Sequence, residues 1–323
     1  MAGRKLTQRQ SRRVARQQSR HADQALTDSA STREGLVISR FGKQVDIEAA
    51  GQPGELVRCY IRSNIDSLVA GDRVAWVPSE EGGGVVVARQ PRHSLLERPD
   101  SFGRLRAVAA NLDQIIIVLA TEPPPFTHLL DRYLVAAEHT GLQAIILVNK
   151  MDLDGRDLLR SLMPYQQIGY PVIGVSAMQT DGLSPLQTVL KDRTSAFVGQ
   201  SGVGKSSLIA AFLPNETIRI GALSSAESKG RHTTTAARLF HLVGGGDLID
   251  SPGIRDFSLG HLDAYQSAAG FIEFRPWLSQ CRFRDCTHQD EPGCAVVEAV
   301  EQNVISADRY LSYRQIITPT DHV

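Results

Sequence analysis

The sequence is short of cysteine, of long apolar runs and of net charge, and each shortage excludes a class of protein. Four cysteines in 323 residues are too few for a disulfide-framed secreted domain. Apolar runs such as Ile115–Ala120 span six residues, far below the roughly 18 needed to cross a bilayer. No apolar signal-peptide core opens the chain. The expectation is a soluble, cytoplasmic monomer with no membrane association. The zero net charge conceals an asymmetry: residues 1–33 hold eight basic and two acidic side chains, and the remainder 27 basic and 33 acidic. The segment with Arg4, Lys5, Arg9, Arg12, Arg13, Arg16 and Arg20 is poor in large apolar residues. It cannot repay the entropy of folding alone and is expected to be a disordered basic arm, either a solvated tail or a phosphate-neutralising one.

At 42% hydrophobic residues the chain can still bury substantial cores. From residue 34 to about 99, five short β-rich runs (GLVISRF, KQVDIEA, ELVRCYIR, DRVAWVP, GVVVARQ) are separated by turn-forming spacers. They predict a small β-barrel of the OB type, with an SH3-like closure left open. Arg58, Arg62 and Arg73 with Tyr60 and Trp76 form either an RNA-binding face or, for the aromatics, barrel core. Cys59 reads as a small core residue.

From residue 100 to about 257 strand-like Ile/Val/Leu runs alternate with helical segments, the pattern of a mainly parallel sheet covered on both faces. Helices are expected at Thr127 to His139, Gly155 to Gln167, Leu183 to Leu190 and Lys205 to Phe212. One strand, TSAFV, runs into Gly199, Gln200, Ser201, Gly202, Val203, Gly204, Lys205, Ser206 and Ser207. Glycines let such a loop turn its N–H groups toward phosphates, the lysine reaches the β- and γ-phosphates, and Ser206 is placed to ligate Mg²⁺. Asn149, Lys150 and Asp152 (NKMD) follow another strand. The Asp152 carboxylate can accept from N1–H and the 2-amino group of guanine, a donor pair adenine lacks. Ser176 and Ala177 end a third strand, where the Ala177 N–H is placed to meet guanine O6. Asp250 and Gly253 (DSPG) end a fourth, as a Mg²⁺ partner and a γ-phosphate contact. All four motifs stand at the C-terminal ends of strands, where doubly wound sheets bind ligands.

Their order is unusual. Asn149 precedes Gly199 by 50 residues, whereas the phosphate loop ordinarily comes first. The order N-K-x-D, S-A, phosphate loop, D-x-x-G is a circular permutation, permitted because the loops need only meet in space. It makes the γ-phosphate segment run directly into the region that follows. Ile254 occupies the place where a water-orienting Gln is usual. His232 in GRHTTTAARL is the candidate replacement, against its being an exposed loop residue, with Thr234 as a candidate Mg²⁺ ligand and Lys205 as charge stabiliser.

Beyond residue 258, Cys281, Cys286, His288 and Cys294 supply three thiolates and an imidazole, the donor set of one closed structural Zn²⁺ site. Two terminal helices follow. Arg282 and Arg284 either touch RNA or form a solvated face.

With the basic arm, the barrel, NKMD, SA, GQSGVGKSS, HTTTAARL, DSPG and the C-x4-C-x-H-x5-C cluster, the chain resembles the RsgA (YjeQ) family, circularly permuted bacterial GTPases of small-ribosomal-subunit maturation, over essentially its whole length. That resemblance implies GTP binding and subunit-stimulated hydrolysis near the decoding centre. It further implies contact with the small ribosomal subunit and its rRNA, and release of other late assembly factors. Two other readings stay open at this point: a non-enzymatic, GTP-gated RNA-binding module, motivated by the missing Gln, and a GTPase acting on other nucleic acids.

Overall fold

The computed structural model describes residues 32–79, 82–100, 102–213, 237–250 and 262–318. His232, Thr234, Gly253 and all but the end of the basic arm lie outside the described residues.

Five strands, β1 (Arg33–Phe41), β2 (Gln44–Ala49), β3 (Leu56–Ile61), β4 (Arg73–Pro78) and β5 (Gly84–Arg89), follow the five runs read from the sequence. They close in the order β1-β2-β3-β5-β4 and back to β1, with β3 and β5 parallel. Alternate residues point inward, so Val37, Val45, Ile47, Cys59, Val74, Trp76 and Val86 share one core. Trp76 is therefore barrel interior rather than surface; its indole N–H donates to Glu34 O at 3.3 Å. Tyr60 stays outside, as does Phe41, beneath the Arg58 guanidinium at 4.8 Å.

A hairpin of β6 (Leu95–Pro99) and β7 (Leu105–Ala110) joins the barrel to the next layer and straddles residues 99 and 100. The sequence reading missed it because few of its side chains are buried, leaving no alternation to read.

The second layer is a six-stranded sheet in the order β10-β9-β8-β11-β13-β12. Its strands are β8 (Gln114–Ala120), β9 (Gln143–Asn149), β10 (Val172–Gly174), β11 (Thr194–Val198), β12 (Arg238–His241) and β13 (Asp247–Asp250). All are parallel to their neighbours except β12. Every residue of β8 is buried. Ile115, Ile117 and Leu119 enter the core on one face, and Ile116, Val118 and Ala120 the core on the other. That is why the strand reads as an unbroken apolar run. The Ser39–Arg238 pair joins β12 to β1, so barrel and sheet are continuous.

Helix α1 (Thr127–Thr140) ends at Gly141, whose φ of +73° and backbone bond to Ala137 O make a left-handed C-cap. The expected single helix from Gly155 to Gln167 is two, α2 (Arg156–Ser161) and α3 (Met163–Gln167). Pro164 in the first turn of α3 lacks the N–H a continuous helix would need. Helices α4 (Ser184–Leu190) and α5 (Lys205–Phe212) complete the layer. The C-terminal region carries α6 (Ala264–Ala269), opened by a reciprocal Asp263–Gln266 capping box, then α7 (Ala295–Glu301) and α8 (Ala307–Ile317). Its core of Phe271, Phe274, Val296, Tyr310 and Tyr313 is shared with Val135 and Ala136 of α1. Helix α1 thus buries a second face against this region. Among the described residues no helix is long and apolar enough to cross a membrane.

Candidate nucleotide site and metal centre

Sheet topology brings the motifs to one edge. Asn149 ends β9, Ser176 and Ala177 follow β10, Gly199 follows β11, and Asp250 ends β13. The two swapped halves of the sequence meet through a direct bond: the buried Asn149 donates from Nδ2 to Val203 O at 2.9 Å, across 54 positions of chain. Gly204 makes this approach feasible, because a Cβ there would stand 2.4 Å from Asn149 Nδ2. Gly199 has φ +137° and backs onto Val118 O, which a Cβ would approach to 2.3 Å. Gly202 and Gly204 also have positive φ, so the loop curls as only glycine readily permits.

Lys205 opens α5 and donates to Gly199 O and Gln200 O, both at 2.6 Å, which directs its ammonium back over the loop. Ser206 and Ser207 follow in the first helical turn. Lys150, at φ +60°, donates to Gly202 O at 3.0 Å and to Glu122 O at 2.7 Å. On the base side, Asp152 lies exposed in a 3-10 turn, Met151–Leu153, and accepts a short hydrogen bond from the buried Ser176 hydroxyl. Ser176 Oγ in turn accepts from Met178 N at 3.1 Å, which fixes it between the Asp152 carboxylate and the exposed Ala177. The arrangement is a glycine-lined anion cradle at a helix N-terminus beside a carboxylate held by a hydroxyl. It can take a polyphosphate and a base bearing two adjacent donors.

Two features escaped the sequence reading. The segment from Glu122 to Phe126, which carries Pro123, Pro124 and Pro125, packs on the phosphate loop and is gripped by Gln200; its only signal was the proline run. The buried Arg309 of α8 holds Glu273 with two bonds, 2.6 and 3.1 Å, and Asp131 of α1 with another. Asp131 also accepts from Tyr165 OH at 2.9 Å. Burial alone would lower the Arg309 pKa, but the two carboxylates outweigh it and raise it.

The ligand atoms of Cys281, Cys286, His288 and Cys294 lie within 4.8 Å of one another, the one such cluster among the described residues. Cys281 Sγ is 3.9 Å from Cys294 Sγ, and His288 Nδ1 is 3.4 and 3.5 Å from those two sulfurs. A tetrahedral ion with bonds of about 2.3 Å to sulfur and about 2.0 Å to nitrogen separates two sulfurs by about 3.8 Å and sulfur from nitrogen by about 3.5 Å, so the donor set fits Zn²⁺. Burial lowers the His288 pKa, favouring the neutral imidazole a metal requires. The loop is braced from outside. Tyr310 OH donates to His288 O and Gln289 O, Tyr313 OH to Thr287 O, and Glu291 accepts from Thr287 and Gln289. Burial would raise the Glu291 carboxyl, but these hydrogen bonds prevail and hold it at about 2.

The chain matches known proteins over this whole architecture. The RsgA GTPase family model matches residues 89–260. Curated relatives named small ribosomal subunit biogenesis GTPase RsgA include one from Chromohalobacter salexigens, 54% identical over 90% of this chain and 87% of its own. Another, from Azotobacter vinelandii, is 50% identical over 98% of both chains. Among solved structures, YjeQ from Thermotoga maritima superposes with a TM-score of 0.72 at 33% identity, over 88% of this chain and 97% of that one. YloQ, described as a circularly permuted GTPase, gives 0.70 at 28% identity, over 90% and 95%.

Proposed function

Because the chain belongs to the RsgA GTPase family, we propose that it hydrolyses GTP to drive late maturation of the small ribosomal subunit, binding the subunit's rRNA and leaving when hydrolysis is complete. Family membership favours an enzyme over a non-catalytic GTP-gated module, despite Ile254. The observation that carries the nucleotide reading is the convergence at one sheet edge: the Asn149–Val203 bond beside the Asp152–Ser176 pair.

In this reading Asp152 accepts from guanine N1–H and the 2-amino group, Ser176 holds that carboxylate in place, and the Ala177 N–H meets O6. Asn149 and Lys150 pin the phosphate loop to the base-reading turn. The N–H groups of Gly199 to Ser207 cradle the phosphates, and Lys205 exchanges its loop carbonyls for β- and γ-phosphate oxygens. Ser206 and Asp250 would hold Mg²⁺, which neutralises charge on those oxygens. Gly253 would meet the γ-phosphate, Thr234 would add a hydroxyl ligand to Mg²⁺, and His232 would orient the attacking water. Cys281, Cys286, His288 and Cys294 would hold one Zn²⁺, and four protein ligands give it a structural role.

We divide the chain into a basic arm (1–33), an OB-type barrel (34–99), the permuted GTPase domain (100–257) and a zinc-binding helical domain (258–323). The closing order of the barrel supports the OB assignment, and Arg58 over Phe41 beside Tyr60 supports an RNA-facing surface there. The protein acts as a cytoplasmic monomer together with other late assembly factors.

Multiple-turnover phosphate release, with GTP or ATP and with or without small subunits, tests the proposal. GTP turnover should rise on adding subunits, ATP should not be used, and His232→Ala should lose the stimulation. Losing one charged hydrogen-bond acceptor is worth about 1.5–3 kcal/mol, so Asp152→Asn should weaken GTP binding roughly 10- to 150-fold. Equal use of ATP, or no response to subunits, would overturn the reading.

A further inference from the structure

The segment between β8 and α1 reads Thr121-Glu122-Pro123-Pro124-Pro125-Phe126. Three consecutive prolines offer carbonyls but no N–H, so the segment cannot bond to itself and must be held from outside. A primary amide, with a donor and an acceptor on one group, suits that need. Gln200, the second residue of the phosphate loop, supplies it: its Nε2 donates to Pro124 O at 3.0 Å and Pro123 O at 3.5 Å, and its Oε1 accepts from Phe126 N at 3.3 Å. Lys150 adds a second tie by donating to both Glu122 O and Gly202 O.

Phe126 is also the N-cap of α1. One turn on, the buried Asp131 holds Arg309, and further along Val135 and Ala136 enter the core of the C-terminal region. Arg309 belongs to α8, whose Tyr310 and Tyr313 hydroxyls grip the backbone of the Cys/His loop at Thr287, His288 and Gln289. A continuous set of bonded and packed groups therefore runs from a phosphate-loop side chain to the Cys/His cluster. It is separate from the covalent route through DSPG.

We propose that Gln200 is a positioning residue that couples the phosphate loop to α1, so that guanine-nucleotide binding tightens the C-terminal Cys/His domain on the GTPase domain. The coupling rests on the nucleotide-site reading above. By linkage it is reciprocal: detaching α8 from α1 weakens nucleotide binding by at most the coupling factor.

Amide hydrogen exchange over α8 and residues 281–294 of the full-length protein, with and without GDP at many times the Kd of each variant, tests it. Exchange of α8 should slow about fivefold or more on GDP binding in the wild type. In Gln200→Ala it should change less than about twofold, with the GDP-free rates close to wild type. Equal slowing in both proteins, or none in the wild type, would overturn the proposal. So would a Gln200→Ala variant whose α8 exchange rises equally with and without GDP, since that marks a simple brace. Calorimetry on the same samples separates failures: if the wild type takes up no GDP, the nucleotide reading has failed, not the coupling alone.

Discussion

Replacing Arg309 with leucine should detach the C-terminal domain from α1. The Arg309 side chain is 4% exposed, and its partners Asp131 and Glu273 are 1% and 10% exposed. Its guanidinium also stacks 4.5 Å from Phe271 and 5.2 Å from Tyr165. Leucine would leave two carboxylates without a counter-charge, and removing one partner of a buried pair costs about 3–5 kcal/mol. At about 2–4 °C per kcal/mol for a unit of this size, the melting temperature should fall by roughly 6–20 °C. Arg309→Lys keeps the charge but cannot bond both Glu273 oxygens and Asp131 at once, and should lose about 1.5–3 kcal/mol. The triple replacement Arg309→Met, Asp131→Leu, Glu273→Leu removes the charges together and should recover most of the loss, because a buried ion pair and an apolar cluster of similar volume are near in stability. Thermal melts followed by circular dichroism measure all three. A leucine variant melting within about 2 °C of wild type, or a triple variant as unstable as the single one, would refute the reasoning.

Two further outcomes follow from local chemistry. Metal analysis should find one zinc per chain, and Cys294→Ser or chelation should make residues 281–294 protease-sensitive while GDP binding persists; unchanged resistance would remove the structural role. His241 bridges the two domains, its Nδ1 2.6 Å from Asp247 and its Nε2 3.0 Å from Glu48 of the barrel. The Asp247 hydrogen bond, partly offset by burial, raises its pKa. A raised folded pKa means stability fully present below the unfolded value near 6.5 and lost as pH rises through the folded one. His241 is half exposed, so the contribution is about 0.2–1 kcal/mol. The stability gap between wild type and His241→Gln should therefore shrink as pH rises from about 6 to 9, and a gap that widens would contradict the assignment.

The parts of this molecule legible in its sequence are those whose signal is local. The strand β9 is bounded at Gln143 and Asn149 by an apolar run that is buried on both faces. The phosphate loop declares itself through glycines whose positive φ the fold requires. The Cys/His cluster is compact in sequence as well as in space. What stayed hidden depends on distant partners. Asp131 and Arg309 are 178 positions apart, and nothing around either residue announces the other. Gln200 reads from the sequence only as one residue of the phosphate loop, and its second set of bonds is hidden because they reach a proline segment more than 70 residues upstream. Trp76 was ambiguous because an aromatic on a barrel strand suits either face, and only the closing order of the strands turns it inward.

The permutation also decides what lies beside each half of the nucleotide site. Strands β9 and β10, which carry the groups proposed to read the base, stand at the far edge of the sheet, where β10 has no further strand neighbour among the described residues. Strand β13, whose last residue is Asp250, is next to β12, and β12 pairs with β1 of the barrel. The proposed phosphate side is thus one strand removed from a barrel whose outer face presents Arg58, Phe41 and Tyr60, while the proposed base side is several strands away. In strand order only β12 stands between Asp250 and the barrel, and among the described residues that strand is joined to β1 at a single register pair.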